Sequence, residues 1–97
     1  MPFSCQLKLP SYNDSPIEAK LVSWEKESFG MLEKDDVIAN ITVGGVPHVL
    51  CVNFPCGFVS KAARVGDVIK TEDLVASCGA DGENIPYGRD YLFIRTA

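Results

Sequence analysis

No apolar run in this sequence approaches the roughly 20 residues that a membrane-spanning helix needs. Positive charge is the scarcer sign. Nine Lys and Arg stand against 13 Asp and Glu, giving a formal net charge of −4 and a pI near 4.8. Sequence-independent nucleic-acid binding relies on clustered Lys and Arg, and anionic membranes attract the same residues. Neither partner fits this balance. The opening residues MPFSCQLKLP carry no basic stretch followed by an apolar core, so no secretory leader is expected and the chain reads as cytoplasmic. Helical periodicity is also scarce, since no stretch repeats apolar residues at i, i+3, i+4 and i+7 over three turns. A glycine-rich strand-to-helix turn that could cradle a nucleotide is missing too.

What is present points to strands. Val, Ile, Leu and Phe gather in short runs (CQLKLP, AKLVSW, DVIANITV, HVLCVNF, GFVSKA, DLVASC, YLFIRT) separated by turn-formers such as SYNDSP, GG, PCG and VGD. Short strands at this spacing predict an all-β sandwich or barrel, with a weak short helix over 25–29 as the one exception. At 97 residues the chain makes a single domain, 1–97. Four cysteines occur, at 5, 51, 56 and 78. Disulfides would need an oxidising context, and Cys51 and Cys56 with the lone His48 lack zinc-site spacing. Small apolar core residues are the simpler reading, with no metal.

An ungapped repeat sharpens the fold. Shifted by 37 residues, LVS at 21–23 falls on FVS at 58–60, and MLEKDDVIA at 31–39 falls on VIKTEDLVA at 68–76. Strand, turn, apolar pair, acidic turn and strand are thus used twice. Two copies are too few for a solenoid and suit a closed sandwich of two halves related by a pseudo-twofold.

In this order the motifs resemble the lipoyl and biotinyl attachment domains, the swinging-arm carriers of 2-oxo acid dehydrogenase complexes and biotin carboxylases. QLKLPSYNDSPIEAKLVSW is similar to the opening of a lipoyl domain, KDDVIANI to the strand before its modified hairpin, and GFVSKAARVGDVIKTEDLVA to its second half. The resemblance covers 5–78, the repeat core, and leaves 79–97 as a C-terminal extension. It implies a flattened barrel-sandwich (the single hybrid motif) in which the hairpin joining the two halves carries a modified lysine.

That lysine is missing. The hairpin ITVGGVPHVL places Gly44 and Gly45 at the tip, and no lysine stands between Lys34 and Lys61. An amide link to lipoate or biotin needs a primary amine, so no cofactor and no catalytic residue is expected. Gly-Gly suits a type I′ turn, in which both central residues need φ > 0. The first-half turn departs as well, since Phe29 and Gly30 stand where the family prefers Gly-Asp. Phe29 either fills the core or joins Val43 and Val46 in an exposed apolar patch. Phe29, Val43, Gly44, Gly45 and Val46 are therefore the candidate surface for a protein partner.

Other residues have plainer readings. Trp24 packs at the core edge rather than stacking on a ligand, and His48 is a partly exposed strand residue without a nearby nucleophile. Asp35-Asp36 and Glu72-Asp73 are solvated turn residues, because the repeat explains them without carboxylate catalysis. The tail YLFIRT has strong strand character. Burying one such side chain contributes roughly 1.5–3 kcal/mol, which argues against a dangling end. An added edge strand is expected, with homodimerisation through that edge as the alternative. Two functions fit: a non-catalytic lipoyl-like module that binds a protein, or a carrier modified elsewhere, for instance at Lys61 or Cys56.

Overall fold

The computed structural model describes residues 3–26, 30–80 and 91–97. Among them it is all-β. Nine strands follow one another: β1 (Phe3–Lys8), β2 (Glu18–Trp24), β3 (Met31–Leu32), β4 (Val37–Val43), β5 (Val46–Val52), β6 (Cys56–Lys61), β7 (Val68–Lys70), β8 (Leu74–Ala80) and β9 (Leu92–Thr96). They form a four-stranded sheet, β1-β8-β6-β3, and a five-stranded sheet, β7-β2-β4-β5-β9. Every neighbouring pair is antiparallel. Of the weak helix expected at 25–29, Glu25 and Lys26 form a bend, and the other three residues lie outside the described ones.

The repeat sets this strand order. A shift of 37 residues lays β2, β3 and β4 over β6, β7 and β8. Pairing β1 with β5 as well turns the order β1-β8-β6-β3 into β5-β4-β2-β7, which is the second sheet read backwards without β9. Each sheet therefore takes strands from both halves, and neither half has a complete sheet alone. The inward positions of both sheets converge on one core that includes Leu7, Leu21, Ile38, Ile41, Leu50 and Val75.

Matching turns accompany the matching strands. Asp35 and Glu72, 37 residues apart, both adopt left-handed backbone, with φ of 73° and 78°. In each case the next residue clamps the turn. The Asp36 carboxylate accepts from the Glu33 amide at 2.8 Å, and the Asp73 carboxylate accepts from the Lys70 amide at 2.9 Å. These aspartates organise backbone as well as facing water. A left-handed residue other than glycine costs roughly 1–2 kcal/mol, which the clamp helps to offset. Asp36→Ala and Asp73→Ala should each lower stability by about 1 kcal/mol, read as a lower denaturant midpoint at unchanged slope.

His48 departs from expectation. It is buried, at 7% exposure, not partly exposed. The β4–β5 register sets it opposite Ile41, a core residue, so both side chains share the inward face. The Tyr12 ring closes over it edge-on at 5.1 Å. The imidazole Nδ1 lies 2.8 Å from the Val46 carbonyl, and because a carbonyl only accepts, Nδ1–H is the donor. A strand-end histidine has become a packed and oriented core residue.

The tail is a strand of the same domain. β9 pairs with β5 over five positions, including Leu50 with Ile94 and Val52 with Leu92, and Leu92 and Ile94 enter the core. Just before it, Tyr91 accepts at its carbonyl from the Asn53 amide at 2.9 Å and tilts its ring onto Phe54 at 5.4 Å. The expected edge strand is therefore supplied within the chain, and the stretch 81–90 that leads to it lies outside the described residues.

Candidate functional site

Beyond a register shift between Val37 and Ala39, β4 and β5 pair antiparallel without a break from Ala39 opposite Leu50 to Val43 opposite Val46. Only Gly44 and Gly45 remain to close the hairpin. Their φ angles, 59° and 79°, are both positive, as a type I′ turn requires and as glycine adopts at least cost. A Cβ added to either would meet nothing within 4 Å. The tip thus stands in open space, with the geometry of a tight hairpin and no functional group of its own.

The flanking valines differ. Val43 is half-buried and packs against the core, whereas Val46 is 51% exposed. Of the two, only Val46 exposes its side chain to solvent. Phe29, the remaining member of the expected patch, lies outside the described residues. In its place the structure brings up Val68, 56% exposed. Lys20 on β2 pairs with Thr42 on one side and with Val68 of β7 on the other, so β2 ties Val68 to the hairpin. A shallow depression of about 340 Å³ results, lined by Lys20, Thr42, Gly44, Gly45 and Val68 among others. Val68 sits 22 residues beyond Val46, and only the β7–β2–β4 pairing, invisible to local pattern, joins them.

Trp24 is half-buried against the core, as its core-edge reading required, and the Lys61 ammonium sits 5.4 Å from its ring centre. That distance is within the range of a cation–π contact. Lys61 is exposed, so its amine is reachable although held over the indole. Cys56 is the opposite case, because it is buried and an acyl group there would have to sit in the core.

All four cysteines are free and buried, but they do not group as their spacing suggests. Cys51 lies on β5 in one sheet and Cys56 on β6 in the other. Cys56 instead meets Cys78, and Cys78 meets Cys5. A hydrogen bond from Cys78 holds the Cys56 thiol below its ordinary pKa, whereas the same bond and burial push Cys78 upward. Burial also raises Cys5 and Cys51, the latter opposed by Arg95. Among the described residues, no three His, Cys, Asp or Glu side chains are arranged to hold a metal ion. The Asp36 and Asp73 carboxylates are engaged by their own turns, and Asp36 adds an ion pair to Lys26 at 3.9 Å. Compared with known proteins, the chain matches no family model, no curated protein and no solved structure.

Proposed function

We propose that this protein is a non-catalytic module of lipoyl-like architecture that binds a protein partner through the end of its β4–β5 hairpin. The strand order supports this architecture: two sheets exchange strands between two similar halves, and the hairpin in question joins those halves. In a swinging-arm carrier such a joint presents the modified lysine. Here the joint keeps the exposure and the tight turn and has no amine. The observation that carries the reading is this exposed Gly44-Gly45 tip, flanked by Val46 and Val68. Val68 and the Lys20 stem line the depression together with Thr42 and Glu18, and Val46 stands exposed at the hairpin end, so apolar area with a mixed polar rim is offered, a combination suited to a protein surface.

The competing reading is a carrier modified at another residue. Mass spectrometry of the intact protein from its native host separates the two. The unmodified mass is expected, and an added lipoyl, biotinyl or acyl mass would overturn the interaction reading. Incubation with a lipoate or biotin ligase should likewise leave the protein unlabelled. Gly45→Lys would supply the amine, but at a φ of 79° a side chain there costs about 1–2 kcal/mol. The variant should therefore fold with a lower melting point, and any label it gains should map to residue 45.

A further inference from the structure

β1, β8 and β6 lie side by side in the four-stranded sheet, and each contributes one buried cysteine: Cys5, Cys78 and Cys56. None of the three takes part in the hairpin site. Cys78 is in hydrogen-bonding reach of both others, but the register treats its two neighbours differently. Cys5 stands directly opposite Cys78. Opposite Cys78 on β6 stands Phe58, which leaves Cys56 diagonal.

We propose that Cys5 and Cys78 are an oxidisable cross-strand pair, which hydrogen peroxide closes into a disulfide joining β1 to β8. Directly opposed residues of an antiparallel pair have Cα atoms about 4.5 or 5.5 Å apart, depending on their place in the ladder. Both values lie inside the roughly 4.4–6.8 Å span of disulfides. Diagonal neighbours are about 7–8 Å apart, beyond the reach of a bridge without backbone movement. Cys56 can therefore bond to the Cys78 thiol by hydrogen but cannot replace Cys5 as its covalent partner. Cys51 is in the other sheet.

The chemistry balances. Cys5, on the outermost described strand of its sheet and 5% exposed, donates a sulfur electron pair to one peroxide oxygen. The O–O bond breaks, one water leaves and Cys5 becomes a sulfenic acid. The Cys78 sulfur then attacks the Cys5 sulfur, the S–O bond breaks, and the departing hydroxide takes the Cys78 proton as a second water. Two thiols are oxidised and one peroxide is reduced to two waters. The thiolate is the reactive form, and both thiols are pushed up, Cys5 by burial and Cys78 by its hydrogen bond with Cys56 and by burial. The reaction is accordingly slow at neutral pH and faster in alkali. Its product fixes β1, whose described pairing partner is β8 alone.

Trypsin makes the test direct, because Cys5 falls in peptide 1–8, Cys78 in 71–89, and Cys51 with Cys56 in 35–61. The reduced full-length chain is treated with hydrogen peroxide, alkylated under denaturing conditions and digested without reduction. The expected result is an intact monomer that, weighed before alkylation and apart from sulfoxide oxygen on Met1 and Met31, is lighter by two hydrogen atoms, a linked 1–8/71–89 species, and reversal of the link by dithiothreitol. Peptide 35–61 should carry two alkyl groups. A bridge involving 35–61, a link between two chains, over-oxidised but unlinked Cys5, or no change in mass would each overturn the assignment. Cys5→Ala treated in parallel should lose no hydrogen, and loss of two hydrogens there would equally refute the pair. Because the linkage is read in the native sequence, the result does not depend on how well the variant folds.

Discussion

Truncation after Gly82 should cost the domain most of its stability. Removing the last 15 residues takes away β9, and with it Leu92 and Ile94, both buried in the shared core. Each contributes roughly 1.5–3 kcal/mol by burial, so the pair alone accounts for about 3–6 kcal/mol. A domain of this size has only about 5–15 kcal/mol in total. At the usual sensitivity of a chain of this length, the melting midpoint falls by about 12 °C or more. Solubility should fall with it, because the cut uncovers the β5 edge, whose run VLCV at 49–52 is otherwise buried. An unpaired apolar edge is a template for intermolecular pairing. Leu92→Asp tests the same dependence with the chain length kept, since an unpaired carboxylate would enter the core. Thermal unfolding followed by circular dichroism, with light scattering for aggregation, reads both effects. A truncated chain that melts like the parent would show that the tail is no part of the folding unit.

How far the sequence anticipated these features depends on the range over which each is encoded. Strands are local, and the apolar runs and turn-formers mark β1, β2, β4, β5, β6, β8 and β9 within a few residues. The repeat is a longer signal that still lies along one axis, and it foreshadows the matching turns at Asp35 and Glu72 but not the exchange of strands between sheets. Gly44-Gly45 announces its own hairpin, because the required φ signs narrow the choice to glycine or its closest substitutes. The properties that were not legible all come from pairing between strands distant in the chain. His48 sits beside Pro47 and an exposed tip, so neighbouring residues suggest a surface position; only its register with Ile41 turns the ring inward. The cysteines mislead in the same way. The pair 51 and 56 is close in sequence and split between sheets, whereas 5 and 78 are 73 residues apart and directly opposed. Val68 reaches the tip only through β2. Alternation tells which residues share a face of one strand, but the neighbour across the ladder is set by the whole topology.

The same distinction divides the two valines at the candidate site, and their substitutions should part company. Val43 packs against the core, and an aspartate there buries part of a carboxylate. The cost of such a group runs to several kcal/mol. Val43→Asp should therefore melt far below the parent, or fail to accumulate as folded protein, and any loss of binding it shows would carry no information about the surface. Val46, at 51% exposure, can turn an aspartate into water. Val46→Asp should change stability by no more than about 0.5 kcal/mol, since neither its strand pairing nor the glycine turn is touched. It does place a charge in the apolar part of the proposed surface, where a desolvated carboxylate lowers affinity at least tenfold, equivalent to about 1.4 kcal/mol. Val68→Asp, on β7 beyond β2 and β4 and 56% exposed, should act alike. The measurement compares melting curves of the three variants with their recovery of the proteins that co-purify with the parent from its native host. Folded Val46→Asp and Val68→Asp that lose the same partner would place the binding surface on both sides of the tip. Folded variants that retain every partner would remove the hairpin end from consideration, because no other substitution at this site tests its surface so selectively without disturbing the core.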